Sequence, residues 1–173
     1  MESVYFPVTI REFGAHLVFR DLREESMSYG AVRIDTMLLS HPGYCLGYRV
    51  TSHGRKVCYI TDNEIYLPGD PRRDERYLER LTNFIGGADL LITDTTYRDH
   101  EYPSRVDWGH SCVSQVIELA ARAEVKRLHL FHHDPDQTDA DIDAKLRETR
   151  TALEQRRAAI PCDAPAETSD VVL

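Results

Sequence analysis

Histidines and aspartates stand at the ends of several predicted strands in this chain of 173 residues. His41, Asp62, Asp94 and His132 each closely follow an apolar or β-branched run. Strand ends that share one edge of a sheet lie close together even when they are distant in the sequence. Imidazole nitrogens and carboxylate oxygens are ligands that Zn²⁺, Mn²⁺ or Fe accepts in proteins. The pattern favours a metal site, although a polar residue at a strand end is also typical of an ordinary turn.

Two adjacent histidines, His132 and His133, end the strand-like run in the stretch LHLFHHDPDQTD. They are either candidates for a metal ligand or the first residues of a polar loop. The acids that follow do not form a calcium-binding EF-hand loop, which needs glycine at its sixth position and glutamate at its twelfth. Counting from Asp134, those positions hold Asp139 and Lys145. The acids are typical of a helix N-terminus, where the helix dipole favours negative charge.

Another imidazole, His110, stands at the entry to a predicted helix in the stretch DWGHSC. The N-terminal end of a helix stabilises negative charge, so a histidine there can act where negative charge develops in a reaction. The alternative is a capped helix start that contains a buried Trp108. Residue types alone leave both interpretations open.

The elements that would position these residues follow a clear order. Alternating apolar and β-branched residues predict strands, and apolar residues at helical spacing predict helices. Ser111 is the expected N-cap of the second helix, and Thr138 with Asp141 resembles a capping box before the third. A strand meander followed by helix–strand–helix–strand–helix predicts a layered α/β (α+β) fold in which helices cover a sheet. The predicted strands are residues 15–22, 31–40, 44–52, 55–61, 88–97 and 126–131, and the predicted helices are residues 73–85, 111–123 and 139–160.

Composition restricts the class of protein. The formal net charge is −8, whereas general nucleic-acid and membrane binders are more often basic. No apolar run reaches membrane-spanning length and the N-terminus lacks a signal-peptide pattern, so we expect a cytoplasmic protein without membrane association. The four cysteines show no C-x-x-C spacing and are expected to be reduced packing residues. Residues 161–173 are polar, contain two prolines and predict a disordered tail.

Four stretches in order, LLSHPGYCLGYRV, KVCYITDNE, ADLLITDTTY and WGHSCVSQVIELAARAEVKRLHLFHHDP, cover most of residues 31–139. Together they resemble the C-terminal half of a metallo-β-lactamase-fold hydrolase of the ribonuclease Z-like and phosphodiesterase-like branch. The resemblance implies an αββα sandwich, with one domain over residues 1–160 that lacks its N-terminal portion. It also implies a centre of two metal ions, most often Zn²⁺ with Mn²⁺ or Fe as alternatives. The implied substrate is a small cyclic or linear phosphodiester or RNA.

The resemblance assigns roles to individual residues. His41 matches a ligand of the first metal, and Asp62 matches the aspartate that bridges both metals and takes part in catalysis. His132 matches a ligand of the second metal and is preferred over His133. His110 resembles the histidine that protonates the leaving group or contacts the phosphate. Three further residues are expected around the centre: Glu64 to orient a ligand, and Asp94 and Tyr97 to line the site.

The family's main metal-binding signature, His-x-His-x-Asp-His, does not occur in this sequence. Each metal would therefore lose two protein ligands, and the sheet would lose the layer that covers one of its faces. Two hypotheses follow. The chain is one half of a hydrolase that needs a missing N-terminal half, or it is a truncated, non-catalytic protein that forms a homodimer or heteromer through the exposed sheet face. An unrelated α/β domain with incidental histidines is a third interpretation.

Overall fold

The computed structural model describes residues 14–173, which form one sheet of seven strands with three α-helices. The strands are β1 (Ser26–Tyr29), β2 (Val32–Leu38), β3 (Leu46–Ser52), β4 (Arg55–Ile60), β5 (Leu90–Asp94), β6 (Leu128–Phe131) and β7 (Cys162–Asp163). The helices are α1 (Glu75–Ile85), α2 (Val113–Arg122) and α3 (Asp139–Gln155). The strands lie in the sheet in chain order; β1 to β4 pair antiparallel and β4 to β7 pair parallel. The predicted combination of a meander and helix-linked strands is confirmed.

The helices pack on one face of the sheet, where the strand side chains are apolar. Cys58, Leu91 and Leu128 lie in register across three strands and are fully buried. They join a continuous core with Leu81 of α1 and Leu153 of α3, while α2 contacts both of the other helices. Burial of this face, at about 25 cal/mol per Å² of apolar surface, supplies the main free energy that holds the strand ends in place.

The opposite face of the sheet carries a row of side chains in register, namely Tyr48, Tyr59, Ile92 and His129. Phe131 lies next to this row, with its ring centroid 5.8 Å from that of Tyr59. Tyr59 and Phe131 remain 37% and 41% exposed. One helix layer and one sheet layer are two of the four layers of an αββα sandwich, so the expected fold class is confirmed.

The third helix begins as expected and ends earlier than expected. Thr138 and Asp141 form the predicted capping box, in which each side chain accepts a hydrogen bond from the other residue's backbone N–H. The sequence predicts a helix as far as residue 160, but α3 ends at Gln155. Arg157 adopts a left-handed conformation with φ of 55°, which stops the helix, and Ala158 N–H turns back to the carbonyl of Leu153.

Two expectations at the ends of the chain are corrected. The strand predicted over residues 15–22 is wrong, because that segment has no regular secondary structure and its Val18 and Phe19 side chains are exposed. An alternating apolar pattern forms a strand only where a neighbouring strand can pair with it, and β1 occupies the position beside β2. At the other end, the sequence predicts a disordered tail over residues 161–173. Cys162 and Asp163 within it are ordered, since they pair with β6 and Cys162 is buried.

All four cysteines are free thiols, as expected. Burial raises the pKa of the Cys58, Cys112 and Cys162 thiols to about 12, so these three stay protonated and behave as packing residues. None of the helices formed by residues 14–173 combines the length and the apolar character that crossing a bilayer requires.

Candidate metal centre

Parallel pairing of β4, β5 and β6 brings their carboxyl ends to the same edge of the sheet. Asp62 follows β4 and His132 follows β6, and both adopt left-handed backbone conformations, with φ of 55° and 56°. Such conformations are uncommon for residues other than glycine, but aspartate and histidine adopt them more often than most. The two side chains meet, with His132 Nε2 lying 3.2 Å from Asp62 Oδ1. The sheet thus joins the residue that the resemblance assigns to both metals, Asp62, and a residue that it assigns to the second metal, His132.

His41 reaches the same place from the loop between β2 and β3. The backbone N–H of Gly43 donates to His41 Nδ1 at 3.0 Å. Gly109, with φ of +88°, packs on the other side of the ring, and a Cβ at this position would lie 2.3 Å from His41 Cδ2 and 3.0 Å from its Nε2. Only glycine allows the loop that carries His110 to approach His41 so closely.

The ligand atoms fall into two overlapping groups. Those of His41, Asp62 and His110 lie within 4.8 Å of one another, and so do those of Asp94, His110 and His132. The His110 ring stacks on the His132 ring at 4.7 Å between centroids, and lies 5.5 Å from the His41 ring. All four residues that the sequence assigned to the site are therefore brought together, and Asp94 joins them.

Asp94 and His110 form a buried acid–base pair. The side chain of Asp94 is fully buried, and its Oδ2 accepts a hydrogen bond of 2.7 Å from His110 Nδ1. This hydrogen bond raises the pKa of His110, while burial acts in the opposite direction. Backbone N–H groups of Asn63, Thr96 and Ser111 also donate to the Asp94 carboxylate. Since Nδ1 is engaged, Nε2 is the His110 nitrogen left for a substrate or an ion.

Thr96 connects this pair to His132. Its hydroxyl oxygen lies 2.8 Å from Asp94 Oδ1 and 2.6 Å from the carbonyl oxygen of His132. His132 Nδ1 lies 3.2 Å from the same hydroxyl. A hydrogen bond to one ring nitrogen orients an imidazole whose other nitrogen binds a metal. Nothing in the local sequence marks Thr96, because its role depends on strands that are distant along the chain.

Lys145 of α3 stabilises the loop after β5. This role was not predicted from the sequence. Its side chain is completely buried. Nζ donates to the carbonyl oxygens of Thr95 and Thr96 at 2.6 and 3.1 Å and to Gln137 Oε1 at 2.7 Å. Burial lowers its pKa to about 8. The signal in the sequence was its spacing: Lys145 lies four residues before Thr149, so both lie on the same, buried face of α3.

Glu64 holds the loop that carries His110. The carboxylate is buried, and it accepts hydrogen bonds from the Tyr102 hydroxyl at 2.8 Å and from the N–H groups of Asp107 and Gly109 at 3.0 and 2.9 Å. The expected orienting function of Glu64 thus has a structural counterpart in this loop, where His110 is the residue that it positions.

The predicted N-cap Ser111 is wrong, since Cys112 occupies the cap of α2. Ser111 Oγ instead donates to the carbonyl oxygen of Asn63 at 2.6 Å and accepts from Ile65 N–H at 3.3 Å. These bonds tie the start of α2 to the segment after β4. A cap and a bridge between segments need the same hydroxyl, so the sequence could not separate the two.

His133 differs from its neighbour. It belongs to neither group of ligand atoms within residues 14–173. Burial lowers its pKa to about 4, so the ring is neutral at physiological pH. Of the two adjacent histidines, His132 is therefore the one that faces the cluster, in agreement with the preference based on the resemblance.

A family model described as "Beta-lactamase superfamily domain" matches residues 8–133. The chain belongs to this superfamily. Among curated relatives, the chain is 38% identical to the Ribonuclease Z of Thermoplasma acidophilum over 69 residues. These residues are 40% of this chain and 22% of the relative. It is 35% identical to the Ribonuclease Z of Metallosphaera sedula over 114 residues. These residues are 66% of this chain and 31% of the relative.

This beta-lactamase superfamily chain thus spans about a fifth to a third of the length of these two relatives. Its fold is similar to that of the metallo-beta-lactamase fold protein YhfI from Bacillus subtilis, with a TM-score of 0.59 at 18% identity over 82% of this chain and 50% of that protein. The resemblance to the ribonuclease Z-like branch is confirmed. The segment matched by the family model includes every member of the candidate centre, whereas Lys145 lies beyond it.

Proposed function

We propose that this chain provides part of a metal-dependent phosphodiester hydrolase, with His41, Asp62 and His132 as metal ligands and His110 as proton donor. The meeting of Asp62 and His132, 3.2 Å apart at the ends of two strands, is the observation that carries the proposal. The relatives named Ribonuclease Z support a phosphodiester as the bond that is cleaved. RNA and small cyclic or linear phosphodiesters are the substrate classes that follow.

The donor set fits a divalent transition metal. Imidazole and carboxylate groups suit Zn²⁺, and they also suit Mn²⁺ or Fe. Asp62 Oδ1 lies 3.2 Å from His132 Nε2, whereas Oδ2 accepts a weak contact from Cys45 Sγ at 3.9 Å, so Oδ1 is the oxygen on the His132 side. A bound metal ion supplies Lewis-acid activation of water and of a phosphoryl oxygen.

His110 supplies the proton for the leaving group. Asp94 holds a proton on His110 Nδ1 and raises the pKa of the ring, which increases the fraction of the cationic form at neutral pH. As the phosphorus–oxygen bond breaks, Nε2 transfers its proton to the departing oxygen and the ring becomes neutral. General acid catalysis of this kind typically contributes about 10²–10⁴-fold to the rate.

The chain supplies too few ligands for two ions, since the sequence contains no His-x-His-x-Asp-His signature. We propose that residues outside this chain complete the centre, from an N-terminal half of the same fold or from a second copy. The domain would extend past residue 160 to include β7, which pairs with β6, and the free thiols support a reducing compartment such as the cytoplasm.

Complementation tests this function. The chain is assayed for hydrolysis of bis(p-nitrophenyl) phosphate alone and after mixing with a ribonuclease Z segment that carries the missing signature. We expect little activity alone, and zinc-dependent activity in the mixture that a chelator removes. The His110→Ala variant should lose that activity by about 10²-fold or more, whereas His100→Ala, in an exposed loop, should retain it. A chain that binds metal tightly and stays inert in the mixture would contradict the proposal.

The second candidate function is association through the open sheet face without catalysis. Leu38, Tyr59 and Phe131 are each more than a third exposed, and a second sheet would cover them. Sedimentation equilibrium at micromolar concentration tests it. A stable monomer rules it out, whereas a dimer that Tyr59→Lys dissociates supports it.

A further inference from the structure

The loop before α2 presents the only tryptophan of the chain to solvent. Trp108 is 56% exposed and lies two residues before His110. The alternative interpretation of this stretch, a capped helix start with a buried Trp108, therefore does not hold for the tryptophan. An exposed aromatic side chain of this size, placed beside a candidate catalytic residue, suggests a contact surface for a ligand.

The backbone around Trp108 is held firmly, although its side chain is exposed. Glu64 accepts hydrogen bonds from Asp107 N–H at 3.0 Å and from Gly109 N–H at 2.9 Å, one on each side of Trp108. Trp108 N–H itself donates to the carbonyl oxygen of Arg105 at 3.1 Å. Because the backbone that carries the ring is fixed before binding, less conformational entropy is lost when a ligand stacks on the ring.

The same loop lies directly on the candidate metal centre. Gly109, the neighbour of Trp108, leaves no room for a Cβ against His41, since that atom would lie 2.3 Å from His41 Cδ2. Trp108 thus directly precedes the residue that packs against His41, a proposed metal ligand. The loop segment that carries Trp108 therefore borders the candidate centre.

An arginine completes the surface. The guanidinium carbon of Arg105 lies 4.6 Å from the centroid of a Trp108 ring. Arg105 forms no salt bridge within residues 14–173, whereas Arg72 in the same region pairs with Asp70 and Asp107. In a chain of net charge −8, an uncompensated guanidinium in the loop that carries His110 favours an anionic ligand.

We propose that Trp108 and Arg105 form a stacking subsite for a nucleobase that flanks the phosphodiester at the candidate centre. Aromatic rings bind bases of single-stranded nucleic acids largely independently of sequence, and arginine adds cation–π and phosphate contacts. The inference rests on the proposed phosphodiester function for its place and narrows the substrate to one that carries a base. Phosphodiesters without a base would not use this subsite.

The single tryptophan makes the test direct, because all tryptophan fluorescence of the chain reports on Trp108. The chain is kept metal-free with a chelator and titrated with a short single-stranded oligouridylate, with an abasic ribose–phosphate oligomer of equal length, and with inorganic phosphate. We expect saturable quenching by the oligouridylate and little change with the other two ligands. Because no metal and no turnover are involved, this result is independent of whether the chain hydrolyses anything.

Variants provide a second measurement by anisotropy of fluorescently labelled oligouridylate. Trp108→Ala should weaken binding by roughly tenfold, from the usual contribution of one stacked base. Arg105→Met should weaken it by roughly two- to fivefold. Tyr29→Ala removes a similarly exposed aromatic ring from β1, distant along the chain, and should leave binding unchanged. Circular dichroism confirms that each variant is folded.

Three outcomes overturn the subsite. The first is an abasic oligomer that quenches and binds as well as the oligouridylate. The second is saturable quenching by inorganic phosphate alone, a result that would assign a simple anion site to Arg105. The third is oligouridylate binding that Trp108→Ala leaves unchanged. Failure of the complementation assay with intact base-dependent quenching would reject the proposed hydrolysis and keep the subsite.

Discussion

Asp94 Oδ2 lies 2.7 Å from His110 Nδ1, and the two residues join the end of β5 to the loop before α2. The aspartate is fully buried, and it accepts three backbone N–H groups besides the imidazole, so its position is determined before any substrate arrives. Such a pair fixes both the tautomer and the orientation of the histidine. It leaves one ring nitrogen of His110 for chemistry.

The Asp94→Asn variant should lower the pKa of His110, because the charged partner that raises it is lost. NMR titration of the His110 ring protons in the metal-free chain measures the change. The stabilising contribution of a raised histidine pKa is present below the unfolded value of 6.5 and is lost as pH rises through the folded pKa. The free energy of unfolding should therefore differ more between wild type and Asp94→Asn at about pH 6 than at about pH 9. An unchanged titration curve would show that Asp94 does not control His110.

Gly109→Ala should destabilise the protein more than an ordinary substitution of glycine in a left-handed conformation. The new methyl group would meet His41 Cδ2 at 2.3 Å and Pro42 Cδ at 2.6 Å. The left-handed conformation costs about 1–2 kcal/mol, and the collision adds about 1–3 kcal/mol. Gly54→Ala is the matched control, because Gly54 also has positive φ but has open space around it. Equal urea midpoints for the two variants would contradict the close approach.

Lys145→Met should change how stability depends on pH. Burial lowers the pKa of Lys145 from 10.5 to about 8, so the unfolded chain binds more protons between these two values. The free energy of unfolding therefore gains a positive slope from this group between about pH 8 and about pH 10.5. The variant should lack that part of the slope. Parallel pH dependences for wild type and variant, measured by chemical denaturation, would show that the lysine is not desolvated.

Lys145 also connects α3 to the site, which gives a prediction of its own. It holds the carbonyl oxygens of Thr95 and Thr96, and Thr96 contacts both Asp94 and His132. Lys145→Met should weaken zinc binding, by roughly tenfold if it acts as supporting residues of metal sites usually do. Calorimetric titration with Zn²⁺ measures the affinity. Lys126→Met, which removes an exposed lysine from the opposite end of β6, is the control and should bind zinc as the wild type does.

The strand ends were predictable from sequence because their signal is local. Asp62 and His132 follow runs of buried strand residues, and the parallel pairing that the alternation of strands and helices predicts brings them to one edge. The capping box at Thr138 and Asp141 was predictable for the same reason, since both partners lie within one turn.

The contacts that complete the site join residues far apart in the chain, and no local pattern encodes them. Lys145 meets Thr95 across fifty positions, and Glu64 meets Gly109 across forty-five. The exposure of Trp108 was also not predictable, because tryptophan is more often buried than presented. The strand predicted over residues 15–22 failed for a related reason, since the pattern shows apolar alternation but not the availability of a partner strand.

Zinc titration of the metal-free chain tests the central claim most directly. Calorimetry is performed on wild type, on Asp62→Ala and His132→Ala, and on the exposed control His100→Ala. The account predicts saturable zinc binding by the wild type and the control, and a loss of affinity of at least roughly tenfold in the other two variants. No zinc binding by the folded wild-type chain, or binding that Asp62→Ala leaves intact, would contradict a metal centre at these strand ends.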